Sequence, residues 1–340
     1  MPDSRSHSAR AAAKATLIAQ LPPGIRSRQI DNGNGLNMHI LEAGYESSGR
    51  ECVLLLHGFP ELAYTWRKVM LPLAEAGYQV VAPDQRGYGM TEGSDMRYEG
   101  DVSQYRLLNL VRDALGLIFA LGHKSVAAVV GHDIGSPVAA TCALTRPDVF
   151  RSVALMSAPY PGASSFRFDG RSAAEQAAKV HQDLAALNPP RLHYQRYLCL
   201  YYVMAMDKTM PQTVAQAMPT AEQVSACAWL PDKDLAVYAL SFAATGFQGG
   251  LQWYRAFGSA ASQAELLLFA GLTISVPACF IAGASDWGIY QSPGAFEAMQ
   301  SLACSDLRSC NLIPDAGHWV QQEQPEVVVD KLLAFLAGMR

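Results

Sequence analysis

The chain has 340 residues, half of them hydrophobic, with 26 basic and 30 acidic side chains and a formal net charge of −4. At roughly 150 residues per unit, that length suggests about two units with ample apolar residues for a large core. The charges are spread without blocks, which argues against a nucleic-acid footprint and for an ordinary soluble surface. Seven cysteines, Cys52, Cys142, Cys199, Cys227, Cys279, Cys304 and Cys310, are odd in number and scattered. They read as core thiols in a reducing compartment, which gives a cytoplasmic expectation. Cys304 and Cys310 could meet across a loop. No CxxC or Cys/His cluster suggests a metal.

The N-terminal residues 1–20 carry Arg5 and Arg10 and then an alanine-rich run. They lack the apolar core of a signal peptide and read as a frayed tail or a short covering helix. Residues 26–30 and 36–41 flank a turn-rich pentapeptide and read as a hairpin. The run 52–56 is a short, wholly apolar strand of the kind buried on both faces of a parallel sheet. It ends in His57-Gly58-Phe59-Pro60. A helical pattern to 76, a strand at 79–82 and the loop Pro83-Asp84-Gln85-Arg86-Gly87-Tyr88-Gly89 follow. Leu107, Leu108, Val111, Leu115 and Ile118 keep helical spacing, which predicts a helix over 104–121 capped by Ser103.

The apolar run 126–130 then enters Gly131-His132-Asp133-Ile134-Gly135-Ser136, with Pro137 placed for the first helical turn. Apolar run, glycine, reactive residue, glycine, helix is the layout of a nucleophile elbow. A strand at 153–157 follows. From about 160 to 257 the sequence is helical, with no convincing strand, and reads as an inserted lid. Alternation resumes with a strand at 277–282, a helix after Pro293, a strand at 310–313 and a last helix at 325–336. The two longest uncharged stretches, 235–254 and 266–285, are broken by glycines, glutamines or proline. A span needs about 20 predominantly apolar residues, so neither crosses a membrane. The expected fold class is α/β: a mostly parallel sheet flanked by helices, with an inserted helical cap. The expected division is core at 1–158, with 1–20 a tail, cap at 159–258, and core again at 259–340.

Asp133 is the residue that narrows the chemistry. A carboxylate is a useful nucleophile toward an electrophilic carbon with an activatable leaving group, such as an epoxide or a carbon–halogen bond. The competing reading of Asp133 is a helix cap. Hydrolysing the resulting ester requires oxyanion donors, and the backbone N–H groups of Phe59 and Ile134 are the expected pair. Ala316-Gly317-His318-Trp319 follows a strand, and His318 is placed to activate water. Asp286, at the end of the strand after the lid, is placed to hold the imidazole. Asp315, three residues before His318, is its rival. His132 reads as packing. Ring opening of an epoxide also needs an acid, and the lid carries Tyr194, Tyr197, Tyr201, Tyr202 and Tyr254. Clustered lid aromatics are ordinarily just packing.

From about Leu21 onward the sequence resembles the α/β-hydrolase-fold epoxide hydrolases. His57-Gly58-Phe59-Pro60-Glu61 with Trp66-Arg67, the loop 83–89, Gly131-His132-Asp133, Gly283-Ala284-Ser285-Asp286 and Gly317-His318-Trp319 carry the resemblance. It implies Asp133 as nucleophile, Asp286 as acid and His318 as water-activating base. His193-Tyr194-Gln195 and Gly246-Phe247-Gln248-Gly249-Gly250-Leu251-Gln252-Trp253-Tyr254-Arg255 resemble the segments holding the ring-opening tyrosines, which implies Tyr194 and Tyr254. His57, Pro60, Trp253 and Trp319 are candidates to line the pocket. Ile134 stands where many members have tryptophan, which counts against a haloalkane dehalogenase. No arginine in 134–145 grips a haloacid. The implied activity is opening of a small-molecule epoxide with water, without cofactor or metal; a homodimer is compatible with it. A dehalogenase of the same fold and a non-catalytic ligand-binding member are the alternatives.

Overall fold

The alternating apolar runs resolve into a single sheet. The computed structural model describes residues 4–164, 220–292 and 294–339. Its strands are β1 (Arg26–Asp31), β2 (Asn37–Ala43), β3 (Cys52–Leu56), β4 (Gln79–Pro83), β5 (Ala128–His132), β6 (Val153–Met156), β7 (Ala278–Gly283) and β8 (Leu307–Ile313). They lie in the order β1-β2-β4-β3-β5-β6-β7-β8. Strand β2 is antiparallel to β1 and β4, and the pairs from β4 to β8 are parallel.

Every residue of β3, β5, β6 and β7 is buried, which is why these strands are continuous apolar runs, save His132 at the end of β5. The edges differ. In β8 exposed and half-buried residues alternate. On the opposite edge Arg26 and Arg28 of β1 both reach the buried Glu42 of β2, at 2.9 and 2.6 Å. Charges on an edge strand discourage pairing with another chain.

The helices that matter below are α1 (Ser4–Gln20), α2 (Arg67–Glu75), α3 (Leu107–Ala120), α4 (Gly135–Thr145), α5 (Asp232–Thr245), α6 (Gln248–Phe257) and α7 (Pro325–Ala337). The N-terminal segment is a covering helix: α1 packs against α5. Between β6 and β7 the described residues form helices and no strand. One boundary differs from expectation. Ser103 does not cap α3. Asp101 caps a short 3-10 turn, Val102–Tyr105, by accepting from the Ser103 N–H. Arg106, with ψ 150°, then breaks the chain before α3 starts.

Candidate active site

The chemistry-bearing residues sit on loops at the carboxyl ends of the parallel strands, where open α/β sheets place their sites. Asp133 follows β5 directly and has φ 53°, a left-handed conformation for a residue with a side chain. Such a backbone costs on the order of 1–3 kcal/mol and is held by its surroundings. Those surroundings are crowded. A Cβ on Gly135 would lie 2.5 Å from the carbonyl oxygens of Leu56 and His57, and one on Gly131 would lie 2.2 Å from the Gly135 oxygen. The two glycines allow β5 and α4 to close on β3 and hold the aspartate up at the sheet end.

The two oxygens of the Asp133 carboxylate have different partners. The Phe59 N–H donates to Oδ1 at 2.9 Å. Oδ2 lies 3.6 Å from Nε2 of His318. The other ring nitrogen, Nδ1, is 2.9 Å from Oδ1 of Asp286. A carboxylate there draws the imidazole proton to Nδ1 and leaves the Nε2 lone pair toward Asp133. Asp286 is itself held by the Gly288 N–H at 2.7 Å. Its rival Asp315 is exposed. Trp287 stacks on the His318 ring, with centroids 4.5 Å apart and planes 16° from parallel. Ile134 is buried immediately after Asp133.

Behind this row lies a buried polar pair that the sequence reading missed. Nδ1 of His132 is 3.0 Å from Oε2 of Glu61, and Nε2 is 2.8 Å from the carbonyl oxygen of His318. A carbonyl only accepts, so Nε2 carries a hydrogen, and Nδ1 faces a carboxylate. Burial alone would lower the His132 pKa, but the bond and charge of Glu61 outweigh it and raise it to about 9. Burial likewise opposes ionisation of Glu61, yet His132 and the Thr65 hydroxyl hold its pKa below the usual value. His132 is therefore an imidazolium tying the His318 loop to the segment after β3, not inert packing.

His57 and Trp253, expected to line the pocket, are wholly buried. Nε2 of His57 accepts from the Gln85 N–H at 3.1 Å, and Nδ1 donates to the Gly58 carbonyl at 2.8 Å. Burial lowers its pKa, which fits this neutral form. Both residues brace the site from behind. Pro60 and Trp319 do line a cavity, an apolar one of about 670 Å³ shared with Trp229, Tyr238, Phe242 and Phe247. Trp229 stacks on Trp319 with centroids 5.8 Å apart.

The α6 segment docks tightly on the core. A Cβ on Gly249 would fall 1.9 Å from the Gly87 oxygen, and Trp253 Nε1 donates to the Arg86 carbonyl at 2.9 Å. This seats the Tyr254 ring edge-on to Phe59, 5.6 Å between centroids, beside the residue that holds Asp133. Tyr194 lies outside the described residues. Cys304, buried, and Cys310, exposed, are free thiols.

Comparison with known proteins supports the same chemistry. The family described as the alpha/beta hydrolase fold matches residues 51–325. Epoxide hydrolase A of Mycobacterium tuberculosis is 33% identical over 93% of this chain and 99% of its own length. Epoxide hydrolase 3 of Siraitia grosvenorii is 33% identical over 87% and 94%. The chain belongs to the epoxide hydrolases of the α/β-hydrolase fold. Among solved structures, potato (Solanum tuberosum) epoxide hydrolase I superposes with a TM-score of 0.71 at 28% identity, covering 92% of this chain and 99% of that one. An epoxide hydrolase from an endophytic Streptomyces gives 0.73 at 31%, covering 94% and 97%. The dehalogenase and binding-protein readings are accordingly not favoured for this epoxide hydrolase.

Proposed function

We propose that this epoxide hydrolase works through an ester on Asp133. Tyr194 and Tyr254 hydrogen-bond the epoxide oxygen, and Oδ2 of Asp133 attacks a ring carbon in line. The C–O ring bond breaks, and the alkoxide takes a proton from a tyrosine. Water then gives a proton to His318 Nε2 and attacks the Asp133 carboxyl carbon. The charge on Oδ1 is held by the N–H groups of Phe59 and Ile134. Collapse expels the diol oxygen, which takes the proton from His318, and the new aspartic acid returns a proton to the tyrosinate. Asp286 steadies the imidazolium.

What carries this reading is the split of one carboxylate between an N–H donor at 2.9 Å and a histidine nitrogen at 3.6 Å. On this reading the oxygen bonded to the N–H takes the oxyanion charge, and the oxygen on the His318 side attacks the ring carbon. We assign 159–258 to the cap over this site, between core segments 1–158 and 259–340. The assignment draws on the absence of strands among the described residues between β6 and β7. Cytoplasmic residence fits the free thiols of Cys52, Cys142, Cys227, Cys279, Cys304 and Cys310.

One turnover in heavy-oxygen water tests the mechanism. The first diol is expected to carry unlabelled oxygen from Asp133, and label enters only on later turnovers. Asp133→Ala should abolish turnover, and His318→Gln should accumulate a covalent adduct visible by mass. Label in the first diol, or no adduct in His318→Gln with an epoxide the wild type opens, would sink the two-step scheme.

A further inference from the structure

We infer that Ser157 is a positioning residue for His318, acting through Nδ1 as a second partner beside Asp286. The inference rests on reading His318 as the base that activates water. Ser157 is the first residue after β6 and is fully buried. Its Oγ lies 3.0 Å from Nδ1 of His318, against 2.9 Å for the Asp286 carboxylate.

Its backbone makes the hydroxyl's presence informative. Ser157 has φ 68°, and the Ala158 N–H donates to the Met156 carbonyl at 2.8 Å across it. That is a three-residue turn with a positive-φ apex, a rare and strained form for any residue but glycine. The chain is pinned there, since the Ser157 N–H donates to the Ile281 carbonyl of β7 at 3.2 Å. A glycine would fit this turn with less strain, but it would bring no hydroxyl to the histidine.

Three polar atoms converge beside Gly288. A Cβ at that position would lie 2.3 Å from Ser157 Oγ, 3.0 Å from Asp286 Oδ1 and 3.4 Å from His318 Nδ1. The missing Cβ is what lets serine, aspartate and histidine meet. Trp287 fixes the plane of the His318 ring by stacking, so the partners of Nδ1 fix its rotation within that plane. Nδ1 has one hydrogen. The Nδ1–H donates to Asp286 Oδ1, and the serine oxygen shares that hydrogen as second acceptor in a three-centred bond. The proton stays on Nδ1, Nε2 keeps its lone pair toward Asp133, and the imidazolium formed during water activation gains a second oxygen dipole. Among the described residues, the charged groups facing His318 are Asp286 after β7, Asp133 and the His132 imidazolium at the end of β5, Glu61 behind His132, and Glu323, which accepts from the N–H groups of Gly317 and Trp319.

Removing the hydroxyl should weaken the hydrolytic half-reaction and spare ring opening. In Ser157→Ala, kcat is expected to fall about 3–10-fold, the worth of one neutral hydrogen bond. The acid limb of kcat against pH should move down by roughly half to one unit, because a less stabilised imidazolium gives up its proton earlier. Ester should build up in the steady state, and kcat/KM, set by binding and ring opening, should hold. Ser157→Gly removes the same hydroxyl while relaxing the turn, and should show the same kinetic change in a well-folded protein. A general packing defect would lower kcat and kcat/KM together without adduct. That pattern in both variants, or a wild-type kcat and acid limb in either, overturns the inference. His318→Gln, run alongside, separates the two levels. If it traps adduct while the Ser157 variants do not, only the role of Ser157 falls. If it traps none, the reading of His318 as base falls first.

Discussion

His132 shows how a single residue escapes a reading by motif. Asp133, Asp286 and His318 are legible because each is flagged by its neighbours: glycines around a turn, a strand end, a loop late in the chain. His132 has no such flag. Its carboxylate partner Glu61 is 71 residues away, and its other partner is a backbone carbonyl. Ser157 is unflagged for the same reason, since its contact with His318 spans 161 residues. The His132 pKa, raised from 6.5 to about 9, makes a prediction about stability. A histidine whose pKa is higher folded than unfolded contributes stability that is complete below about 6.5 and is lost as pH rises through about 9. Glu61, lowered from 4.5, contributes above that value and loses its contribution as pH falls. Wild type and His132→Gln should therefore differ most in urea midpoint near pH 6, and the gap should close toward pH 9.5. A gap that stays constant across that range would falsify the charged pairing.

At the scale of elements, the docking of α6 explains residues that composition leaves unexplained. Gly249-Gly250 looks like a helix defect in sequence, and Trp253 like a pocket aromatic. In the structure Gly249 lets the α6 backbone touch the Gly87 backbone, and Trp253 anchors to the Arg86 carbonyl. The Gln252 amide also donates, at 2.7 Å, to the Arg97 carbonyl. The segment 246–255 and the loop 83–89 are thus one joint, and Tyr254 is seated by it. Both stretches stand out in sequence, but nothing there says that they touch. The missed start of α3 has a similar cause: Asp101 and Ser103 satisfy each other locally and Arg106 turns the chain before the apolar period begins. Gly249→Ala should force α6 off the loop, destabilising the protein by about 1–3 kcal/mol as overpacking does. Ring opening should slow as much as in Tyr254→Phe. Single-turnover rates for the two variants, with thermal melts, check this; a Gly249→Ala enzyme that opens epoxide at the wild-type rate would show that the contact does not seat Tyr254.

Across the whole molecule, the mostly parallel sheet and the place of the site follow from alternation and from the elbow, whereas the strand order and the fastening of the helical insertion to the core do not. That fastening is polar and buried. Arg67 of α2 meets Asp234 of α5 at 2.6 Å, with side chains only 4% and 9% exposed. The Tyr64 hydroxyl donates to the same carboxylate at 2.9 Å. Arg67 also donates to Gln322 Oε1 at 2.9 Å, and the Gln322 amide donates to Glu61 Oε1 at 3.1 Å. A continuous path of hydrogen bonds therefore runs from α5 through Arg67, Gln322, Glu61 and His132 to the His318 carbonyl. The Arg67–Asp234 bond spans 167 residues, which is why no local pattern announces it. On the far side, α1 covers α5 with Ala13 and Leu17 buried, an apolar and non-directional contact. The ion pair should carry the larger consequence when cut. Asp234→Ala leaves a guanidinium buried with no opposite charge and is expected to cost about 3–5 kcal/mol. Replacing both partners, Arg67→Met with Asp234→Leu, removes both charges and should recover most of that loss, because a buried pair gains little over well-packed apolar side chains. Urea unfolding at pH 7 distinguishes the cases. If Asp234→Ala unfolds at the wild-type midpoint, α5 is held by its apolar contacts with α1 and the core, and the polar path is a consequence of the docking and not its cause.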